Sequence, residues 1–144
     1  MFAFVAAVFY FQVALGDNTF SKSDYGPYVA DVVRVYDGDT LTAHIHIFPG
    51  MTYKRSVRLY GIDTPEIRGK CVAEKVKAIE ARDALIELIG DDRIVLVNVI
   101  EGKYAGRVVA EVLTGEGVSV GRTLIELGLA RPYDGKGRRQ SWCE

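Results

Sequence analysis

Three strand-like runs separated by turn residues occupy residues 28–61, and they constrain the fold more than any other feature. Tyr28–Tyr36 is rich in valine and is followed by Asp-Gly. The second run, 41–47, alternates apolar with polar residues, which is the pattern of a half-buried strand. A Pro-Gly pair predicts the turn into the third run, 55–61. Together the three runs predict a meander of adjacent strands.

The second half of the chain adds a helix and two more strands. Residues 71–89 contain neither proline nor glycine, which predicts a helix. Its expected buried stripe consists of Ala73, Val76, Ala84 and Leu88. Residues 94–100 and 107–113 predict a fourth and a fifth strand, and 118–127 predicts a short amphipathic helix. We therefore expect an α+β fold, mainly β: a five-stranded Greek-key barrel of the OB type with two or three helices.

Composition sets wide limits on function. The chain has 144 residues, enough for one domain with a real core. Its formal net charge is -1, whereas proteins that bind nucleic acid often carry a strong basic excess. Bulk charge therefore does not support a nucleic-acid partner. It does not exclude one, because a small cleft needs only a few arginines and a cation.

The N-terminal sixteen residues carry no charged side chain and end in Ala14-Leu15-Gly16, the small-residue pattern of a cleavage site. We predict a signal peptide over 1–16, a linker over 17–27 and one domain over 28–144. The expected location is then secreted or periplasmic. The alternatives for the apolar run are a membrane anchor, a misassigned start and a helix of the domain.

Two cysteines, Cys71 and Cys143, stand at the predicted helix start and in the C-terminal tail. In an exported protein the first interpretation of such a pair is one disulfide. The alternative is two free, partly buried thiols.

Carboxylates cluster where the predicted strands end. Asp37-Gly38-Asp39-Thr40 follows the first run, and Asp63-Thr64-Pro65-Glu66 follows the third. We predict that Asp39 and Asp63 bind a divalent cation. All the candidate ligand atoms are oxygens, which favours calcium or magnesium over zinc, and calcium accepts the looser geometry. Alone, each segment is typical of a turn or a helix start; their joint occurrence indicates a metal site.

Arg58 and Arg107 suit a phosphate, because a guanidinium presents a rigid fork of donors that matches two phosphate oxygens. Two arginines and a cation can stabilise the charge of a five-coordinate phosphorus. The alternative is that both arginines are exposed strand residues.

Three motifs carry a resemblance to a known family. Asp-Gly-Asp-Thr, Arg-Leu-Tyr-Gly-Ile-Asp-Thr-Pro-Glu and Lys-Tyr-Ala-Gly-Arg, in this order, resemble the thermonuclease (staphylococcal nuclease) family from about Val29 to Tyr133. The resemblance implies an OB-type barrel with three helices. It also implies calcium-dependent hydrolysis of DNA and RNA phosphodiesters that leaves 3′-phosphate products.

The resemblance also implies a role for each motif residue. Asp39 and Asp63 match calcium carboxylates, Thr64 a carbonyl ligand, and Asp37 an acid near the metal. Glu66 matches the residue that positions or deprotonates the attacking water, and Arg58 and Arg107 match the phosphate-binding arginines. The expected substrate-binding residues are Lys103, Tyr104 and Tyr133.

The sequence departs from the family pattern at one motif. The family reads Lys-Tyr-Gly-Arg, and here Ala105 is inserted, which moves Arg107 one residue further along. Beyond the motifs we expect a solvated basic tail, 136–139, with contact to nucleic acid as the alternative, and a Trp142 packed on the barrel, with base stacking as the alternative.

The expected partner is a DNA or RNA substrate, with no obligate protein partner and a monomeric state. The alternative function is a non-catalytic nuclease-like module that binds nucleic acid or protein.

Overall fold

The structure is a computed structural model and describes residues 25–143. The elements in chain order are β1 (Tyr28–Asp37), β2 (Thr40–Phe48), β3 (Met51–Leu59), β4 (Ile62–Asp63), α1 (Val72–Ile89), β5 (Ile94–Glu101), β6 (Arg107–Leu113), α2 (Val120–Glu126) and β7 (Arg131–Pro132). The expected signal peptide over 1–16 lies outside the described residues. Among those described, no helix is long and apolar enough to cross a membrane.

Five strands form a closed barrel in the order β1-β2-β3-β6-β5, with β5 pairing back to β1. All neighbours are antiparallel except β3 and β6, which are parallel. Because the barrel is closed, each of its strands is paired with a neighbour on both sides. The prediction of a mainly β, five-stranded OB-type barrel is confirmed, and two helices accompany it between residues 25 and 143.

The barrel interior is filled by aliphatic side chains from alternating strand positions. Leu41, Val57, Leu96 and Val112 are fully buried there, as the period of two in their strands requires. Leu85 of α1 joins the same core cluster. The helix therefore packs on the barrel through one face and positions its N-terminal end near the metal-site motifs.

The predicted buried stripe of α1 is wrong in its first half, whereas Ala84 and Leu88 are partly buried against the core as predicted. Ala73 and Val76 are exposed, and the buried positions are Glu74, Ala78, Ala81, Leu85 and Ile89. These positions also recur with the period of a helix, displaced around its axis from the predicted stripe. The small side chains of Ala78 and Ala81 explain why this face is buried, because they let the helix approach the barrel closely. A Cβ added at Gly38 would lie 2.7 Å from the Cβ of Ala81.

A second, two-stranded sheet was not predicted. The third strand ends at Leu59 rather than continuing to Gly61, which adopts a φ of 77° in the turn that follows. The next two residues form β4 and pair with β7, so that Asp63 lies opposite Arg131. This pairing brings the C-terminal tail to the predicted metal site.

Folded contacts begin inside the predicted linker. Tyr25 forms an isolated bridge with Val99, whose N–H donates to the Tyr25 carbonyl at 2.9 Å. The last three linker positions thus belong to the described fold.

Candidate metal and phosphate site

The turn between β1 and β2 presents two carboxylates. The N–H of Asp39 donates to Oδ1 of Asp37 at 3.2 Å, which fixes the turn. The hydroxyl of Thr40 and the N–H of Thr64 donate to the Asp39 carboxylate, both at 3.0 Å. Asp39 is only 5% exposed. Its position is therefore set by the backbone of the second motif as well as its own.

Asp63 lies in the short strand β4 and is 3% exposed. Arg58 connects it to the first motif. The Arg58 Nη1 atom lies 2.7 Å from Asp39 Oδ2, and Nη2 lies 3.9 Å from Asp63 Oδ1. The same Nη2 donates to the Ile62 carbonyl at 3.2 Å. Two acids that are distant in sequence thus flank one guanidinium.

Three buried polar atoms in this cluster lack an aligned hydrogen bond: Arg58 Nη1, Asp63 Oδ1 and Thr64 Oγ1. The first two are close to opposite charges, but the geometry is that of charge attraction rather than of a directed bond. Buried groups with unused bonding capacity are rare in folded proteins. Two carboxylates and adjoining carbonyls supply only oxygen, so the donors fit a hard cation such as calcium.

Asp37 is buried, with only 7% of its surface exposed. Burial raises its pKa to about 7, and the negative charge of Asp39 pushes in the same direction. The cation implied by the donor set would oppose this effect.

Glu66 stands on the loop after β4, and its side chain is 49% exposed. A buried acid that the sequence did not single out organises this loop. Glu74 of α1 accepts the N–H of Lys70 at 2.9 Å and that of Glu66 at 3.3 Å. A Cβ at Gly69 would lie 2.5 Å from the Glu74 side chain. The sequence signal was a glutamate in the first turn of the helix, a common position for an acid.

The C-terminal tail contributes the residues that sequence reasoning missed. Arg139 lies with its Nε 2.6 Å from Asp63 Oδ1, and it forms an ion pair with Glu66. The expectation of a solvated tail is therefore wrong at Arg139. Trp142 is buried as expected, but its Nε1–H also donates to Asp63 Oδ2 at 3.0 Å.

Covalent and stacking contacts fix this tail. Cys71 and Cys143 form a disulfide with a Cα–Cα distance of 5.9 Å, which joins the tail to the N-cap of α1. The Arg131 guanidinium lies 3.8 Å from the centre of the Trp142 ring and donates to the Ser141 carbonyl at 2.7 Å. The tail is therefore fixed by the disulfide at Cys143 and by the contacts of Arg131 with Ser141 and Trp142.

Comparison with known proteins places these motifs in a family. Residues 56–141 match the sequence model of the family described as staphylococcal nuclease homologue. The chain belongs to this family. No curated protein matched the chain.

The matched segment of the chain contains Arg58, Asp63 and Glu66 as well as Arg139. It begins after Asp-Gly-Asp-Thr, so Asp39 joins the site through the contacts described above rather than through the match.

Arg107 is the first residue of β6. It lies opposite Ser56 on β3, so it shares a sheet face with Arg58, two residues along. Strand spacings put their Cα atoms about 8 Å apart. In residues 25–143 no ion pair joins Arg107 to a carboxylate, and its guanidinium lies 5.6 Å from the centre of the Tyr104 ring.

The inserted Ala105 is absorbed by a turn. The N–H of Arg107 donates to the Tyr104 carbonyl at 3.2 Å, and Gly106 has a φ of 76°. A positive φ at the third position is typical of a type II turn. The strand register of Arg107 beside Ser56 is kept, while Lys103 and Tyr104 remain exposed on the loop.

Tyr133 follows β7 and forms two hydrogen bonds to backbone carbonyls. Its hydroxyl donates to the Gly137 carbonyl at 3.1 Å, and its N–H donates to the Gly61 carbonyl at 2.9 Å. The structure thus brings Asp37, Asp39, Asp63, Thr64, Arg58 and Glu66 into one cluster. It leaves Lys103, Tyr104 and Tyr133 outside that cluster.

Proposed function

We propose that the chain is a calcium-dependent nuclease that hydrolyses phosphodiester bonds of DNA, RNA or both and leaves 3′-phosphate products. One observation carries the proposal. Asp39 and Asp63, from different motifs, converge with the Thr64 backbone around Arg58, and Arg139 joins Glu66 to Asp63. Membership of the staphylococcal nuclease homologue family supports the same chemistry.

The proposed ion would be held by the carboxylates of Asp39 and Asp63 and the carbonyl of Thr64, with water completing its shell. When bound, calcium supplies positive charge that draws electrons from the scissile phosphate. Asp37, behind Asp39, supports the turn that presents that ligand. Because magnesium demands near-ideal octahedral geometry, which suits this site less than the looser geometry of calcium, we expect magnesium to support little turnover.

Glu66 is the proposed general base. It takes a proton from water as the water oxygen attacks phosphorus, the bond to the 5′-oxygen breaks, and that oxygen leaves with a proton from solvent. Arg58 and Arg107 stabilise the charge on the five-coordinate phosphorus. Lys103, Tyr104 and Tyr133 are the proposed contacts to the rest of the substrate.

The test is digestion of single-stranded DNA, double-stranded DNA and RNA with calcium, with magnesium and with excess chelator. Cleavage by calcium-loaded protein, loss of cleavage in chelator and 3′-phosphate ends are expected. Full activity in chelator would contradict the metal assignment. Nucleic-acid binding with no cleavage in calcium would indicate the alternative, a non-catalytic binding module.

We also propose that the protein works outside the cytoplasm, secreted or in a periplasm. The Cys71–Cys143 disulfide supports this, because such bonds persist in oxidising compartments. N-terminal sequencing of exported protein should give a start near Asp17. An intact Met1 in a membrane fraction would instead favour the anchored alternative.

A further inference from the structure

The guanidinium of Arg139 contacts oxygen atoms of three residues of the site. Its Nε lies 2.6 Å from Asp63 Oδ1, its Nη2 donates to the Thr64 carbonyl at 3.1 Å, and its Nη1 contacts Glu66 Oε1. Two of these residues are the proposed calcium ligands and the third is the proposed base. A positive charge from the chain itself therefore lies against oxygens that the ion needs.

The two arginines of the cluster differ in how firmly they are held. The Arg58 side chain is 21% exposed and extends from the barrel strand β3, whereas that of Arg139 is 38% exposed and comes from the tail. Arg139 also lines an open groove of about 770 Å³, together with Arg68, Lys70 and Arg138. Its side chain can turn into this groove without disturbing the buried core.

Burial lowers the pKa of Arg139, but its hydrogen bonds to Glu66 and Asp63 raise it by more, so the net direction is upward. An arginine guanidinium stays protonated in proteins whatever its surroundings, so Arg139 carries a positive charge. A calcium ion and a guanidinium cannot share Asp63 Oδ1 and the Thr64 carbonyl without strong repulsion.

We propose that Arg139 is a tethered competitor of calcium, which binds Asp63, Thr64 and Glu66 in the metal-free protein and turns away when the ion binds. This inference rests on the proposed calcium site. Its consequence is that the apparent calcium affinity is set partly by the tail, and that Glu66 is released from its ion pair only in the calcium-bound state.

The tether makes the competition effective. The disulfide at Cys143 and the Trp142 hydrogen bond hold the chain just after Arg139, and the Tyr133 hydroxyl holds it just before, at Gly137. A group confined in this way has a high effective concentration at its site. Freeing the tail should therefore weaken the competition even when Arg139 itself is unchanged.

The experiment measures calcium binding by titration calorimetry, without substrate, for wild type, Arg139→Gln and Arg138→Gln. Arg138 is the matched control, since it is an exposed neighbouring arginine that makes no ion pair within residues 25–143. We expect Arg139→Gln to bind calcium about tenfold more tightly, the scale of one charge-assisted contact discounted for its exposure. Arg138→Gln should bind as wild type does.

Two further variants keep the test decisive if Arg139→Gln folds poorly. Arg139→Lys keeps the positive charge but loses the forked donors of the guanidinium. Its calcium affinity should lie between those of wild type and Arg139→Gln. Cys143→Ser should reduce the gain in calcium affinity that Arg139→Gln brings, because the freed tail holds Arg139 less firmly at the site. Calcium should raise the melting temperature of Arg139→Gln by more than that of wild type, because tighter binding stabilises the fold more.

Equal calcium affinities in wild type and Arg139→Gln would overturn the competitor while leaving the proposed nuclease intact. Weaker binding in Arg139→Gln would overturn it too, since Arg139 would then assist the ion. If Arg138→Gln gained as much calcium affinity as Arg139→Gln, the cause would be the overall charge of the protein. That result would also overturn the proposal. If no variant bound calcium, both the competitor and the proposed metal site would fail.

Discussion

The indole Nε1–H of Trp142 donates a hydrogen bond to Oδ2 of Asp63 at 3.0 Å, across 79 positions of the chain. Both side chains are buried, and Asp63 is a proposed calcium ligand. A second-sphere donor of this kind orients a carboxylate that binds a metal. The tail is thus part of the site's architecture.

We expect Trp142→Phe to lower the free energy of unfolding by about 1–3 kcal/mol, the cost of removing one partner from a buried charged acceptor. Phenylalanine keeps much of the ring packing, so the loss reports mainly on the hydrogen bond. Chemical denaturation measures it, and an unchanged midpoint would show that the bond is dispensable.

Glu66→Gln should reduce the turnover rate by on the order of 10² or more, as loss of a general base does. The side chain is half exposed, so the fold should be retained. Single-turnover cleavage with saturating calcium gives the rate, and circular dichroism verifies folding. Near wild-type turnover would remove Glu66 from the proposed mechanism.

Arg107→Ala should also cost on the order of 10² in rate, by removing charge stabilisation at the phosphate. This variant tests the inserted Ala105 as well, because the turn keeps Arg107 in register with Ser56. Arg122→Ala on α2 is a suitable control for loss of a positive charge. A folded Arg107→Ala protein with normal rates would mean that this arginine does not reach the phosphate.

Removing the disulfide with Cys71→Ala and Cys143→Ala should lower the free energy of unfolding by roughly 2–5 kcal/mol. The bridge joins positions 72 residues apart, and closing so long a loop restricts the unfolded chain strongly. Denaturation of the double variant beside oxidised wild type measures the loss. Native mass spectrometry should show wild type two hydrogens lighter than its reduced form; two alkylatable thiols on exported protein would refute the bridge.

Gly38→Ala should be destabilising by about 1–3 kcal/mol, because the added methyl would lie 2.7 Å from Ala81 and 3.0 Å from Thr64. Gly50→Ala is not a matched control, since Gly50 has a φ of 78° that strains any L side chain. Ala81→Gly in the Gly38→Ala background is the better comparison, as it relieves the closest contact. Recovery of part of the loss there would identify the helix approach as the cause.

The barrel was predictable because each of its strands leaves a local mark in the sequence. Burial of one strand face produces the alternation of apolar and polar residues in β2 and the abundance of valine in β1. Both patterns are visible in the sequence. The acids and Arg58 were predictable for a related reason, since they lie at or near the ends of predicted strands.

The remaining features depend on contacts between distant segments. A strand of two residues, such as β4, is too short for any periodicity. The buried face of α1 is set by how closely Ala78 and Ala81 let the helix approach, which hydrophobicity alone does not encode. In the sequence Arg139 stands in an ordinary basic tail, and it reaches the site through long-range contacts: the pairing of Asp63 with Arg131, the disulfide and the Trp142 hydrogen bond.

Order of synthesis gives the disulfide-held tail a further meaning. A growing chain that has reached Leu113 already contains all five barrel strands and every proposed calcium ligand. It does not yet contain Arg139, Trp142 or Cys143. The barrel strands and the proposed calcium ligands are therefore made before the residues that cover Asp63, and that cover must wait until residues 139–143 have been added.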